Sequence, residues 1–239
     1  VTTLEVPPPV DAPADWRFPA YHESRLSNGL RVLVYQCPGQ YVATAALVLD
    51  VPLDSERREV EGVAELTARC LARGTADLSA EDFADQLAMS GADLDASVSL
   101  DAFSVHLNVP VAHVDRGLQL MASAVSAAAF DEPEVTHEQT LRLQEIDQAH
   151  AYPQQVANEE LNAALFGEAR AARPTGGSTD TVAAISRDDV LAYAESHLVP
   201  TRATLLLAGD FGSADLVEAA DASFGAWTRP SGEIQYAEP

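Results

Sequence analysis

With 239 residues, 47% of them hydrophobic, the chain is long enough to bury a core, which excludes wholesale disorder. Its 37 acidic against 14 basic residues give a net charge of −23, a field that repels phosphate backbones and argues against nucleic-acid binding. The same field attracts a basic peptide or a basic protein surface, or else is a solvated acidic shell.

The opening "VTTLEVPPPVDAPADW" has no basic start and no apolar stretch, so residues 1–22 read as an extended Pro-rich lead-in rather than a secretion signal. A single domain is expected over 23–228, with a tail over 229–239. "SNGLRVLVYQC" predicts a strand after an Asn-Gly turn, and "YVATAALVLDVP" a second strand beside it, ended by Pro52. "LDSERREVE" reads as a polar connection. Val63, Leu66, Cys70 and Leu71 recur at helical spacing up to Gly74. "SAEDFADQLAMSG" is a helix with Ser79 as N-cap and Gly91 as its stop.

"ADLDASVSL" and "AFSVHLNVP" alternate with period two and predict adjacent antiparallel strands, with Asp101 near the turn. Helices follow at "HVDRGLQLMASAVSAAAF", at "EPEVTHEQTLRLQEIDQAHA" with Pro133 in its first turn, and at "PQQVANEELNAALFG". "RPTGGSTDTVAAIS" is a Gly-rich loop entering a short helix, and "SRDDVLAYAESHLV" a helix capped by Ser186. "RATLLLAGDF" is a buried strand, and "SADLVEAADASFGAW" a last helix capped by Ser213 and stopped at Gly225. Strands and helices do not alternate strictly. That order predicts an α+β fold, a mainly antiparallel sheet covered on one face by helices.

No apolar run approaches the roughly 18–20 residues of a membrane span. Cys37 and Cys70 form no Cys-x-x-Cys pair and read as reduced thiols of a cytoplasmic protein. The histidines His22, His106, His113, His137, His150 and His197 are scattered without ligand spacing, and "RPTGGST" lacks the Lys and spacing of a phosphate loop.

"LSNGLRVLV", "GVAELTARCLARGT", "THEQTLRLQEI", "RPTGGSTDTVAAISRDDVLAYAESHLVPTRATLLLAGDF" and "FGAW" stand in the order and spacing of the insulinase/pitrilysin-type zinc peptidases, family M16. Over residues 23 to 228 the chain resembles the N-terminal-type half of a member. The resemblance implies the M16 metallopeptidase fold, shared with mitochondrial processing peptidase, and a second, similar half, on its own or a separate chain. Active members carry His-x-x-Glu-His on the first helix. Two His at i and i+4 share a helical face and bind one Zn²⁺, the Glu takes a proton from zinc-bound water, and a later carboxylate completes the ligands.

Here the matching positions hold Glu65, Ala68 and Arg69, while the distal acidic positions are Glu138 and Glu145. A guanidinium stays protonated and does not ligate zinc, and Ala68 moves no proton. No metal and no catalytic residue are therefore expected in this chain. Glu65 and Arg69 are spaced for an ion pair that Glu145 could join, with Arg69 supplying the positive charge of the metal. Alternatively, all three are solvated residues without a shared contact.

The resemblance also makes Asp95, Ala96, Ser97, Val98 and Ser99 a substrate-binding sheet edge, onto which an extended peptide adds as a strand. Asp93, Asp95 and Asp101 would favour a basic peptide there, or would blunt the edge against aggregation. The function implied is a non-catalytic subunit of a bacterial processing peptidase, in a heterodimer whose zinc-bearing partner subunit cuts the peptide. A structural subunit of a respiratory-type complex and an active metalloenzyme with an unusual ligand set are the other readings.

Overall fold

A computed structural model describes residues 18–229; most of the Pro-rich lead-in and of the tail lies outside the described residues. Six strands form one sheet: β1 (His22–Arg25), β2 (Arg31–Gln36), β3 (Val42–Leu49), β4 (Asp93–Val98), β5 (Phe103–Pro110) and β6 (Ala203–Gly209). Their order is β1-β2-β6-β3-β5-β4, and every pairing is antiparallel except β2 with β6. Among the described residues eight α-helices accompany them: α1 (Val63–Cys70), α2 (Ala80–Ser90), α3 (Val114–Ala127), α4 (Glu132–His150), α5 (Pro153–Phe166), α6 (Thr179–Ala184), α7 (Arg187–His197) and α8 (Leu216–Phe224).

The α+β reading holds, and period two explains the single helical layer. Leu47 and Leu49 of β3, Val105 and Leu107 of β5, and Leu205 and Leu207 of β6 are buried beneath helices, while Thr44, Asn108 and Asp95 face away. Each fully buried Leu contributes on the order of 2 kcal/mol. Phe83, Phe103 and Phe224 are fully buried in the same core. The described residues include no helix long and apolar enough to cross a membrane.

Three expectations fail in instructive ways. β2 and β3 are not neighbours, because β6 lies between them and pairs with both. The connection 37–41 crosses the end of β6 instead, with Cys37 N–H donating to Gly209 and Asp210 N–H to Gln40. Five residues span two inter-strand gaps of roughly 5 Å each without difficulty. β1 went unread because "HESR" carries no apolar period, yet it pairs with β2 from His22, inside the predicted lead-in. Finally, Asp215 rather than Ser213 caps α8, accepting from the N–H groups of Val217 (3.0 Å) and Glu218 (3.1 Å). The caps at Ser79, Gly91 and Ser186 are as the sequence implies.

Candidate functional site

The site forms where α1 crosses α4 beside the sheet edge β4. Its geometry starts at the entrance of α1. Gly62 has φ +99, and a Cβ there would lie 2.8 Å from the Gly176 carbonyl oxygen, so only glycine fits. The N–H groups of Gly62 (3.1 Å) and Ala64 (2.9 Å) donate to Oε1 of Glu56, a carboxylate in the α1 N-terminal field. Arg170 donates to the other oxygen of Glu56 at 2.9 Å and also binds the carbonyls of Arg173, Pro174 and Thr175. Burial pushes the Glu56 carboxyl above its ordinary value, against the pull of Ala64 N–H and of Arg170. Glu61, equally buried, accepts from Arg173 at 2.9 Å. Two ion pairs thus clamp the loop after α5 onto the start of α1.

One turn further on, Glu65, Arg69 and Glu145 meet. Arg69 Nε donates to Glu65 at 3.0 Å, and its two terminal nitrogens donate to the two oxygens of Glu145 at 2.9 and 2.6 Å. This is the bidentate geometry for which a guanidinium is suited. Of the two arrangements open to Arg69, the shared contact is the one adopted. Glu138, 3% exposed, lies 3.9 Å from Arg69. Its Oε1 is 2.7 Å from an Arg73 nitrogen but off the hydrogen-bonding direction, which makes that pair a charge contact. Arg142 reaches Glu145 at 3.3 Å and the Gly176 carbonyl at 3.1 Å, tying this cluster to the clamp at the other end of α1. Three guanidinium groups balance three carboxylates in a chain of net charge −23.

The hydrogen bond from Arg69 holds the Glu145 carboxyl below its usual range, with Arg142 adding to the effect. Burial alone would lower Arg69, but its bonds to Glu145 and Glu65 outweigh that and raise it. Ala68 is buried and offers no group that titrates. Cys70 points into the core, where burial pushes its thiol up to about 12, so it is no ligand.

The residues present do not fit zinc. A protonated guanidinium sits between Glu65 and Glu145 and engages both oxygens of Glu145. Among the described residues no three His, Cys, Asp or Glu side chains are grouped to hold a metal ion.

On β4, Asp95 and Ser97 are exposed, Ala96 and Val98 are half-buried toward the helices, and the far side of the strand pairs with none of the described residues. Ser99 lies beyond the strand, and its hydroxyl accepts from Ala102 N–H at 3.1 Å in the β4–β5 turn. Sequence reasoning missed Arg73, Arg142 and the Glu56–Arg170 pair. Arg73 is four residues after Arg69 and Arg142 three before Glu145, a helical spacing that would have found both.

Arg69→Met is expected to destabilise the protein by about 2 kcal/mol, since it leaves the facing carboxylates without their shared donor. It should also return the Glu145 carboxyl toward 4.5, its ordinary value. A depressed carboxyl contributes stability above its unfolded value and loses it as pH falls through the folded one. The wild type should therefore lose this contribution as pH falls below the ordinary carboxyl range and through the depressed Glu145 value, and the variant should show little of that slope. Side-chain carboxyl NMR of Glu145 and melting curves across that range measure both.

A six-stranded sheet under one helical layer, with the first helix brought against a distal carboxylate, defines a domain of the metallopeptidase type. The chain belongs to the insulinase family, peptidase family M16, whose sequence model matches residues 31–179. It is 26% identical over 211 residues to an uncharacterized zinc protease of Rickettsia bellii, covering 87% of this chain and 51% of that one. It is 22% identical over 221 residues to the mitochondrial-processing peptidase subunit beta of Blastocladiella emersonii, covering 92% and 48%.

In structure it is similar to a protease from Helicobacter pylori, with TM-score 0.86 and 19% identity over 93% of this chain and 54% of that one. It is also similar to a peptidase M16 inactive domain from Pseudomonas fluorescens, with TM-score 0.83 and 19% identity over 92% and 54%. The chain spans about half the length of the curated relatives it matches.

Proposed function

We propose that this chain is the zinc-lacking, non-catalytic member of an M16 processing peptidase. It pairs with a zinc-bearing homologue, and the two enclose a chamber in which an extended peptide undergoes limited proteolysis. The observation that carries the reading is Arg69. Bonded to Glu65 and Glu145 at 2.6–3.0 Å, it takes up the carboxylates a metal would use, and beside it Ala68 can polarise no water. The relation to mitochondrial-processing peptidase subunit beta supports the processing role, since that name denotes one subunit among others.

In this reading zinc belongs to the partner alone, and a second M16-like half, in this polypeptide or a separate one, completes the subunit. The β4 edge, from Asp95 through Ala96, Ser97 and Val98 to Ser99, offers main-chain donors and acceptors to the peptide largely regardless of its sequence. We place the pair in the cytoplasm, in keeping with two free thiols.

The test is a peptidase assay of this chain alone, of the zinc-bearing homologue alone, and of the mixture, with metal analysis of each. Activity that appears or rises at least tenfold only in the mixture is the expected result. Activity of this chain by itself, with bound zinc, would overturn the proposal. A chain that recruits no peptidase but co-purifies with membrane-bound haem proteins would assign it the structural role instead.

A further inference from the structure

A cavity of about 550 Å³ lies between the connection before α1 and helix α7. Pockets for small molecules span roughly 300–1,000 Å³. Neither Arg69 nor any of its carboxylate partners lines it. Tyr193 does, and it is 5% exposed, its ring stacked on His197 with centroids 4.3 Å apart. The Tyr193 hydroxyl meets no partner among the described residues, yet it is not sealed from solvent, so it opens into the cavity. Burial, with the charge of Glu56 added, pushes this phenol above its ordinary value and keeps it a donor. A buried hydroxyl without a bond is costly, and such a group marks a place for a ligand.

The other polar groups say which ligand. Both carboxylates of the cavity are already matched. Glu56 accepts from the N–H groups of Gly62 and Ala64 and from Arg170, and Asp189 accepts from Ser186 and Arg57. Arg57 uses one nitrogen on Asp189, and its remaining N–H groups bond none of the described residues. Arg202 also lines the cavity, so two guanidinium groups meet here in a chain of net charge −23. His197 Nδ1 stands 3.1 Å from the Tyr193 carbonyl and donates to it, while burial lowers His197 and leaves the ring neutral. What stays open is a hydroxyl and a guanidinium fork, both donors, beside apolar Val60, Val63 and Ala192. That combination fits a carboxylate on an apolar body. Glu56 and Asp189, close by, disfavour a more highly charged group such as phosphate.

We propose that this cavity binds a small organic carboxylate, its oxygens taken by the Tyr193 hydroxyl and the Arg57 guanidinium and its apolar body laid against Val60, Val63 and Ala192. The site goes beyond the subunit reading and does not depend on it.

The probe is 3-phenylpropionate, titrated into this chain while the NMR signals of the His197 and Tyr193 rings are followed. Saturable shifts are expected, with a dissociation constant on the order of 1 mM for a ligand of this size. Its neutral isostere 3-phenylpropanamide should bind at least about tenfold more weakly. Acetate, which lacks the apolar body, should do the same. Tyr193→Phe keeps the ring stack and should weaken the probe about fivefold, and Arg57→Gln about tenfold. Tyr152→Phe, at a tyrosine 60% exposed, should bind as the wild type does.

The absence of saturable shifts up to about 20 mM probe would overturn the inference. So would an amide or inorganic phosphate that binds as tightly as the carboxylate, since the site would then not read a single charge. Unchanged binding by both Tyr193→Phe and Arg57→Gln, each melting with the wild type, would overturn it as well. None of these results bears on the peptidase assay that decides the subunit reading.

Discussion

Arg170→Met is expected to cost about 3–5 kcal/mol and to lower the melting temperature by about 10 °C. Glu56 is 1% exposed and Arg170 8%. The substitution leaves Glu56 with the N–H groups of Gly62 and Ala64 but without its counter-ion, and it frees three loop carbonyls that Arg170 now holds. The sign of the pH dependence is opposite to that of Glu145. Burial raises Glu56, so its contribution is fully present below the unfolded carboxyl value and is lost as pH rises through the folded one.

Removing Arg170 raises Glu56 further, so the deficit of the variant should shrink as pH is lowered toward the ordinary carboxyl range. The double variant Glu56→Gln/Arg170→Met should lose less than the two single losses added together, because a neutral amide avoids the stranded charge. Denaturant unfolding of the four proteins at two pH values measures the coupling. Strict additivity would mean that the clamp is not the interacting unit its geometry describes.

This clamp was illegible in the sequence for a definite reason. Glu56 and Arg170 are 114 residues apart, one on a connection that reads as polar and the other between a predicted helix and a Gly-rich loop, and each residue is of a type seldom buried unless paired. The insertion of β6 between β2 and β3 was hidden in the same way, since strand pairing across more than 150 residues leaves no local trace. What could be read was local: the caps at Ser79 and Ser186, the alternation along β4 and β5, and the spacing of Glu65 from Arg69.

Glu145 stood between these cases. Its helix was legible from periodicity, but its approach to Arg69 came only from the resemblance to a family in which a distal carboxylate completes a site on α1. Four further ion-paired arginines stand next to the motif positions, Arg73, Arg142, Arg170 and Arg173. Charge balance is distributed over both ends of α1 and over the loop around Gly176 rather than concentrated in one residue.

The same geometry predicts a gain of function in metal binding. Glu65→His/Arg69→His is expected to bind one zinc per chain that survives dialysis, where the wild type retains none. Positions 65 and 69 share the α1 face turned to Glu145, which now meets the Arg69 guanidinium at 2.6–2.9 Å. An imidazole is shorter than an arginine side chain, so the space the guanidinium fills becomes available to an ion with ligand distances of roughly 2.0–2.2 Å. Glu145, freed of Arg69 and still braced by Arg142, is the third ligand, and Glu145→Ala in this background should weaken zinc at least about tenfold.

Cobalt(II) gives a readout independent of any activity, since a tetrahedral site colours it strongly. Adding Ala68→Glu supplies the general base as well, at a position that is now 4% exposed and must open toward the site to admit the longer side chain. If the two-histidine variant keeps the wild-type circular dichroism and melting behaviour yet binds neither zinc nor cobalt, then Glu145 is not held where a ligand must be. Arg69 would then be an ordinary bridge between two helices rather than the occupant of a metal position.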